Sequence, residues 1–267
     1  MYLGVNIPNY GPGTDPGVLR NWARITEGLG FDPLMVSDHV VITPDVAVRY
    51  PEPFFEPFTT LSWLAGITTR ARLGTTVIVL PYRHPLLTVR LAQTLDQLSG
   101  GRLVLGVGAG GARQEFEALG VPFAQRGRLT DQYLAALQQA WGAQSSIPLW
   151  VGGNSAAAIR RSIKFGAAWH PLHITLPFLR DAVTSHTLPA LAPRIALRLT
   201  SSPAADPGRL VGTGSLEQIL GDLSELRRLG ADTVVLDPYH GDPEETRRPD
   251  VAWRALTTVA THWRTAS

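Results

Sequence analysis

The sequence of 267 residues has no cysteine and only one lysine, Lys164, and these shortages exclude several kinds of chemistry. A chain without cysteine forms no disulfide, binds no zinc, iron–sulfur cluster or haem through thiolates, and has no cysteine nucleophile. All but one of the 24 cationic residues are arginines, and the net charge is only +2. No run of basic residues typical of nucleic-acid binding occurs, so we expect no nucleic-acid partner.

Several sequence motifs are also missing. The sequence has no apolar run of the roughly 18 residues that would span a membrane. Residues 1–7 lack the basic start and the cleavage site of a signal peptide, so we expect a cytoplasmic protein. There is no G-x-S-x-G nucleophile motif and no H-E-x-x-H zinc motif. His170 and His173 are three residues apart, but Pro171 between them argues against one helical face, and we expect no metal site.

The composition that remains is that of a folded protein. Apolar residues make up 44% of the chain and charged residues 17%, which is enough for a sizeable core. The length is close to the roughly 250 residues of an α/β barrel, so we expect one domain over residues 1–267. The expected strands span residues 3–7, 34–37, 73–80, 103–107, 149–151, 167–169, 195–199 and 233–236.

The segments between these strands carry helix start and stop signals. Asp15, Asn154 and Asp250 each stand where a helix N-cap is expected, and Ser215–Gln218 has the pattern of a capping box. Further helices are expected over residues 57–69, 85–100 and 129–141. Eight βα units predict a TIM barrel. The alternative is a doubly wound open sheet, but the first strand is not followed by a G-x-G-x-x-G turn.

The carboxyl ends of the strands form the active face of such a barrel, and candidate residues lie there. Asp38 and His39 end the second strand, and a histidine beside a carboxylate can donate a proton or bind a cofactor. A capping aspartate beside a structural histidine explains the same dipeptide. The connection over residues 38–54 is long enough to be functional, and Tyr50, Phe54 and Phe55 either wall a substrate pocket or fold onto the barrel rim.

Two glycine-rich turns follow later strands. Residues 106–111 allow the backbone to approach a flat ligand closely, although a tight βα turn explains the same glycines. Gly152 and Gly153 lead from the fifth strand into a helix, where exposed N–H groups and the helix dipole favour a phosphate. A plain helix cap is the alternative interpretation of this turn.

Four longer strings are more specific than these short motifs. They are MVSDHVVITPDVA (residues 35–47), RLGTTVIVLPYRHPLLTVRLAQTLDQLSGGRLVLGVGAGGARQEFEALGVPFAQRG (72–127), IPLWVGGN (147–154) and GADTVVLDP (230–238). Together they resemble the luciferase-like monooxygenase superfamily, in its actinobacterial branch that uses the deazaflavin coenzyme F420. The resemblance spans nearly the whole chain.

The resemblance implies a TIM barrel with the tricyclic ring of the cofactor near its centre. His39 would be the catalytic residue beside the ring carbon that carries hydride, with Asp38 also at the ring. Thr76-Val77 falls where such enzymes have a cis peptide bond that bulges against the ring. The other implied cofactor contacts are Val79, Ala109 and Gly110 along the ring, and Gly152, Gly153, Ser155 and Ala156 at the phosphate.

Two features depart from the family pattern. Gly111 stands where the F420-dependent glucose-6-phosphate dehydrogenase has a catalytic glutamate and where many close relatives have tryptophan. Sugar-phosphate oxidation by that mechanism is therefore not expected. Only residues 142–147 separate Trp141 from the fifth strand, where relatives carry a longer insertion, and this predicts a more open pocket or weaker cofactor binding.

The sequence therefore predicts an F420-dependent oxidoreductase that transfers a hydride between the deazaflavin and a small organic substrate. The cofactor would carry the chemistry while the protein binds and orients. The resemblance also implies a homodimer. The alternatives are an FMN-dependent monooxygenase on the same barrel and a flavin or deazaflavin carrier that has lost catalysis. Neither the substrate nor the direction of hydride transfer follows from the sequence.

Overall fold

Short strands and helices alternate along the chain in the structure, a computed structural model that describes residues 1–142 and 145–265. The strands are β1 Tyr2–Asn6, β2 Leu34–Val36, β3 Leu73–Thr75, β4 Ile78–Val79, β5 Leu103–Gly108, β6 Leu149–Gly152, β7 Ala168–His170, β8 Ala190–Leu191, β9 Arg194–Ala196, β10 Arg198–Leu199, β11 Thr213–Gly214 and β12 Thr233–Asp237. The helices are α1 Pro16–Gly28, α2 Pro44–Ala47, α3 Pro57–Ala65, α4 Pro85–Ser99, α5 Arg113–Ala118, α6 Arg126–Trp141, α7 Ala156–Lys164, α8 Leu176–Ser185, α9 Leu216–Arg228 and α10 Pro249–Thr265.

Ten of these strands form a parallel sheet that closes into a barrel. Around the barrel their order is β8-β7-β6-β5-β3-β2-β1-β12-β9, with β4 beside β5. β8 and β9 are two halves of one strand, because only Ala192 and Pro193 separate them, and they pair with β7 and β12 respectively. The Ala192 N–H donates to Trp169 O at 2.9 Å and the Val235 N–H to Pro193 O at 2.9 Å, which closes the ring.

The barrel has eight strand positions in the described part of the chain. β4 continues β3 after a break at Thr76-Val77, just as β9 continues β8. The predicted TIM barrel is confirmed, and the doubly wound open sheet is not. Among the same residues, no helix is long and apolar enough to cross a membrane.

An apolar layer fills the interior of the barrel. It takes one residue from each of six strand positions: Met35, Val104, Trp150, Ala168, Ala192 and Val235. Side chains alternate between the two faces of a strand, so the residues two positions further along also point inward. These residues are Ser37, Gly106, Gly152, His170, Arg194 and Asp237. Two are glycines and four are polar, which places a polar layer at the carboxyl ends of the strands.

Three of the predicted helix ends are confirmed. Asp15 accepts a hydrogen bond from the Val18 N–H at 2.8 Å and caps α1. Gly100 ends α4 in the left-handed region, with φ of 72°. The Ser215–Gln218 capping box is present at the start of α9.

Two of the predicted N-caps are wrong. Ser155 rather than Asn154 caps α7, because the Asn154 side chain binds the carbonyl and the N–H of Leu172 at 2.8 and 2.9 Å. Asp250 lies inside α10, in its first turn, and its carboxylate pairs with Arg254 at 2.7 Å. At Asn154 a tertiary partner takes the side chain away from the helix end, whereas Asp250 is not the cap because α10 already begins at Pro249.

The seventh barrel strand was predicted too late in the chain. The sequence pattern favours residues 195–199, but the barrel strand consists of β8 and β9. Residues 198–199 leave the barrel and pair with β11, where Arg198 is exposed, which explains the alternating pattern.

Helix α8 was not predicted, because Pro177 in its first turn interrupts the apolar pattern. The short 142–147 connection includes residues 143 and 144, which lie outside the described residues, so its effect stays a prediction.

Candidate functional site

The polar layer of the barrel mouth is built around a buried ion pair. Arg194 Nε and Nη2 donate to Asp237 Oδ2 at 2.9 and 2.7 Å, and Asn6 Nδ2 donates to Oδ1 at 3.0 Å. Burial alone would raise the pKa of Asp237, but the adjacent Arg194 guanidinium and the hydrogen bonds from His173 and Asn6 lower it well below its usual value. Asp237 therefore stays charged and holds β1, β9 and β12 together.

His170 and Thr76 complete this layer. His170 Nε2 and Thr76 Oγ1 lie 2.8 Å apart, and His170 Nδ1 binds the carbonyl of Ala192. Since a carbonyl can only accept, Nδ1 carries the proton and Nε2 accepts from the Thr76 hydroxyl. Complete burial lowers the pKa of His170 to about 4. His170 is therefore neutral at physiological pH and has a structural role.

Thr76 and Val77 are joined by a cis peptide bond, as the resemblance implied. Arg194 Nη1 donates to the Thr76 carbonyl at 2.8 Å. The Val77 side chain lies against glycines, because a Cβ on either Gly108 or Gly152 would stand 2.8 Å from a Val77 methyl. Packing against Val77 therefore explains these two glycines without a ligand. Val77 itself stays partly exposed, although its neighbours in the chain are buried.

The predicted ring contacts Ala109 and Gly110 follow β5, the strand that pairs with β4. Ala109 and Gly110 are partly exposed, and Gly110 has φ of 72°, where a Cβ would lie 2.5 Å from Val79 Cγ1. Val79 is buried in a small apolar cluster. Gly111 is exposed, and a Cβ there would meet nothing within 4 Å. We use the name mouth cleft for the partly exposed surface of Val77, Ala109, Gly110, Gly152 and Gly153 at the carboxyl ends of the strands.

Asp38 is fully engaged by a second buried ion pair. Arg83 Nη1 and Nη2 donate to its two oxygens at 2.8 and 2.7 Å, and the Val79 N–H donates to Oδ2 at 2.9 Å. Burial alone would lower the pKa of Arg83, but its hydrogen bonds to Asp38 raise it. These contacts fix the chain just after the cis peptide bond. Such contacts are typical of a structural residue. They do not support the prediction that Asp38 lies at the cofactor ring, which stays a prediction.

His39 is held by Glu115, a residue that the sequence patterns did not single out. His39 Nδ1 lies 2.7 Å from Glu115 Oε2. Glu115 also accepts from the N–H groups of Val40 and Val41 at 2.6 and 3.2 Å and from the Tyr82 hydroxyl at 2.9 Å. Burial alone would raise the pKa of Glu115, but these hydrogen bonds, led by that of His39, lower it. A charged Glu115 fixes the proton on Nδ1, so Nε2 of His39 is the nitrogen left for a ligand.

Aromatic rings surround His39 at the rim. The ring centroids of Tyr50 and Phe54 lie 5.3 and 5.4 Å from that of His39. Tyr10 stacks on Phe54 at 5.5 Å and meets Tyr239 edge-on at 5.0 Å. The 38–54 connection thus folds onto the rim, while the His39 side chain remains 16% exposed.

Two buried polar atoms at the mouth have no hydrogen-bond partner within the described residues. They are Asn6 Oδ1, whose amide nitrogen binds Asp237, and Tyr10 Oη. An unpaired buried polar atom is costly, and such an atom in a native site points to a missing water or ligand. Both atoms are therefore candidate contacts for a polar ligand edge.

The turn between β6 and α7 offers N–H groups to an anion. The Ser155 hydroxyl accepts from the Ala158 N–H at 3.3 Å, and Ser155 and Ala156 are exposed. The Gly153 N–H is directed at the His170 carbonyl at 3.3 Å. The groups available to a phosphate are therefore the N–H groups of Ser155 and Ala156 rather than that of Gly153.

Sequence reasoning missed Arg83, Glu115, Arg194 and Asp237, and also the two residues with unpartnered buried atoms, Asn6 and Tyr10. Asp237 carried a usable signal, because it is the polar residue directly after the apolar strand pattern of β12. Glu115 lies in a charged six-residue helix, α5, whose composition is typical of a surface segment. In the part of the chain that the structure covers, no group of histidine and carboxylate side chains could hold a metal ion.

Comparison with known sequences gives one family match. The family described as luciferase-like monooxygenase matches residues 2–192. A Mycobacterium tuberculosis protein named as a coenzyme F420-dependent oxidoreductase is 31% identical over 134 residues, 48% of this chain and 38% of the relative. The 4-hydroxyprotoasukamycin monooxygenase of Streptomyces nodosus subsp. asukaensis is 35% identical over 132 residues, 48% of this chain and 33% of the relative. The chain spans 33–63% of the length of the first curated relatives that it matches.

Solved structures share the fold at low identity. The oxygenating constituent of 3,6-diketocamphane monooxygenase from Pseudomonas putida, in complex with FMN, is 14% identical with a TM-score of 0.72, and 97% of each chain is covered. The coenzyme F420-dependent tetrahydromethanopterin reductase from Methanopyrus kandleri is 15% identical with a TM-score of 0.69, again over 97% of each chain. At these identities the likeness establishes the fold alone.

Proposed function

The chain belongs to the luciferase-like monooxygenase family, and from this premise we propose that it is an F420-dependent oxidoreductase that transfers a hydride between the deazaflavin and a small organic substrate. The observation that carries the proposal is the His39–Glu115 pair at the end of β2, beside the strand that leads to the mouth cleft. It is an oriented acid–base group just after β2, the strand whose Val36 pairs with Thr75, two residues before Val77.

The residues of the mouth fit a flat ring with polar edges. FMN and F420 share a pyrimidine-dione edge with both donors and acceptors, and Asn6 Oδ1 and Tyr10 Oη are unpartnered buried atoms of matching chemistry. Ser155 and Ala156 would hold the phosphate through their N–H groups at the start of α7. When bound, the deazaflavin would supply the hydride chemistry.

His39 would act at the reacting end of the ring. Its Nδ1 donates to Glu115, so Nε2 faces the ligand as a hydrogen-bond acceptor, or as a donor once the imidazole is protonated. Glu115 holds the imidazole in one orientation, so His39 would accept or return a proton at Nε2 without leaving its position. Arg194 and Asp38 would keep the backbone on either side of Val77 fixed while this happens.

Cations along α7 favour F420 over FMN. Ala157, Arg160 and Lys164 line a groove on this helix, in which Arg160 lies about one turn beyond the proposed phosphate site and Lys164 at the other end of the helix. The anionic phospholactyl-glutamate tail of F420 suits such cations, whereas FMN ends at its phosphate. Arg161 on the same helix is already paired with Asp131 at 2.7 Å.

The alternative function is that of an FMN-dependent monooxygenase. Two similar proteins favour it, the Streptomyces relative and the FMN-bound Pseudomonas structure, because both are named as monooxygenases. A carrier that binds a cofactor without turnover is a third, non-enzymatic alternative. A homodimer, which rests on the resemblance alone, and a cytoplasmic location complete the proposal.

Fluorescence titration of the purified protein with F420 and with FMN tests the cofactor directly. We expect saturable binding of F420 and a much weaker response to FMN. Tight FMN binding without a response to F420 would overturn the proposal and favour the monooxygenase. Tight binding of F420 without turnover of any substrate in a broad panel would favour the carrier.

A charge at the start of α7 tests the phosphate assignment. Ser155→Asp keeps a good N-cap but adds a carboxylate beside the proposed phosphate, and we expect cofactor affinity to fall about tenfold or more. Ser155→Asn is the matched control, since it caps equally well without charge. Gly153 is a poorer place for this test, because its φ of 118° strains any replacement. Equal affinities of the two variants would contradict the assignment.

A further inference from the structure

A second histidine–carboxylate pair stands at the barrel mouth. His173 Nε2 lies 3.3 Å from Asp237 Oδ2. The His173 side chain is 31% exposed, whereas that of Asp237 is 1% exposed. Because the carboxylate can only accept, Nε2 carries the proton. Nδ1, which has no partner among the described residues, is therefore the nitrogen that faces a ligand.

The position of His173 places it across the mouth from His39. His173 follows β7 and His39 follows β2, and three of the eight strand positions lie between β7 and β2 in either direction. Both strands are parallel, so both histidines stand at the carboxyl end of the barrel. The two imidazoles thus border the same opening from opposite sides.

The backbone of His173 is held in an unusual conformation. It is the only non-glycine residue with positive φ in the described part of the chain, at 46°. Its N–H donates to the Arg194 carbonyl at 3.1 Å, and the preceding Leu172 is bound at both backbone groups by Asn154. Residues held in this region tend to occur at functional sites, where surrounding contacts maintain them.

The contacts of His173 lead to the mouth cleft. Asp237 is shared with Arg194, and Arg194 reaches the carbonyl of Thr76, the first residue of the cis peptide bond, at 2.8 Å. On its other side, the loop of His173 is tied through Asn154 to the turn that carries Ser155. His173 therefore stands between the cleft and the proposed phosphate site.

We propose that His173 is a second acid–base residue of the mouth cleft, one that exchanges the substrate's proton while His39 serves the ring. This inference rests on the proposed function. When an alcohol is oxidised, its C–H bond breaks, the hydrogen leaves with the electron pair to the deazaflavin, which is reduced, and a C=O bond forms. The O–H proton then passes to His173 Nδ1. In the reverse direction Nδ1 returns the proton to the carbonyl oxygen. Asp237 is the positioning residue that keeps the second nitrogen protonated.

Nuclear magnetic resonance of the imidazole groups tests whether His173 faces the cleft. The signals of His173 are identified in the cofactor-free protein by their absence in His173→Asn, a variant whose side chain tolerates the left-handed backbone. F420 and then FMN are added to the wild-type protein. We expect the His173 signals to shift on binding, while those of His262, exposed on α10, stay in place. Binding of either cofactor without a His173 shift overturns the inference.

Turnover of the variants gives the second readout. His173→Asn and His173→Gly should fold with near wild-type stability and lose about 10²-fold in kcat, with little change in cofactor affinity. His262→Asn is the control. Unchanged kcat in His173→Asn overturns the inference. If only FMN binds and shifts His173, the F420 proposal fails while the placement of His173 stands, and if neither cofactor binds, both fail.

Discussion

Two buried arginine–carboxylate pairs hold the same stretch of chain from two sides. The Asp38–Arg83 pair binds the Val79 N–H, and Arg194 of the Arg194–Asp237 pair binds the Thr76 carbonyl. Both pairs are nearly buried, and the first continues through Arg83 to the carboxylate of Glu56, which lies 3.4 Å away at the surface. The second continues through Asp237 to His173, which reaches solvent.

The two pairs differ in what their carboxylates can do: one only positions the chain, and the other also orients a histidine. Asp38 has used both of its oxygens on Arg83 and Val79, so it can only position the chain. Asp237 also orients an imidazole whose other nitrogen is free. The family match ends at residue 192, so it includes the first pair and neither member of the second.

Breaking either pair should have the largest effect on stability. Arg194→Met leaves Asp237 as a buried carboxylate without its cation, and we expect the free energy of unfolding to fall by about 3–5 kcal/mol, with a similar loss for Arg83→Met. Arg254→Met, which breaks an exposed pair with Asp250, is the control and should change little. Urea unfolding measures all three. An Arg194→Met protein as stable as the control would show that this pair does not hold the mouth.

His170 should make the second pair's side of the barrel sensitive to acid. Its folded-state pKa of about 4 lies below the ordinary 6.5, so the unfolded state binds more protons between these values. Stability should therefore fall as the pH drops from 6.5 to 4, by about 3 kcal/mol from this group. The free energy of unfolding is measured at both pH values. We expect the fall due to His170 to be absent in His170→Gln and present in His262→Gln. Identical pH dependence in wild type and His170→Gln would contradict the assignment of His170 as buried and neutral.

Glu115 should matter more for catalysis than for stability. Glu115→Gln places an amide where His39 Nδ1 donates, so the imidazole proton should move to Nε2 and kcat should fall about tenfold or more, with cofactor affinity retained. Because the folded state lowers the pKa of Glu115, the charged carboxylate stabilises the fold at pH values above its ordinary pKa of 4.5. This stabilisation is lost as the pH falls through the folded-state pKa. The stability gap between wild type and Glu115→Gln should therefore narrow in acid. A normal kcat would mean that His39 needs no carboxylate.

The sequence predicts the frame of this molecule better than its site. Apolar periodicity and caps such as Asp15 and Ser215 depend on local physics, and they located most elements. The cis peptide bond at Thr76-Val77 followed from resemblance rather than from any local pattern. Arg194 and Glu115 could not be found in this way, because their roles arise only when closure of the barrel brings distant strands together. The predicted N-cap at Asn154 was wrong for the same reason, since Leu172 becomes its partner only in the folded chain.

Anaerobic hydride transfer to or from F420 in wild type and His39→Ala tests the central claim most directly. The change in deazaflavin absorbance is followed with a panel of alcohols and carbonyl compounds, and FMN is run in parallel. We predict turnover with F420 and a drop of about 10²-fold or more in His39→Ala, with a much smaller loss of cofactor affinity. Equal turnover in the two proteins, or oxygen-dependent turnover with FMN alone, would contradict the account.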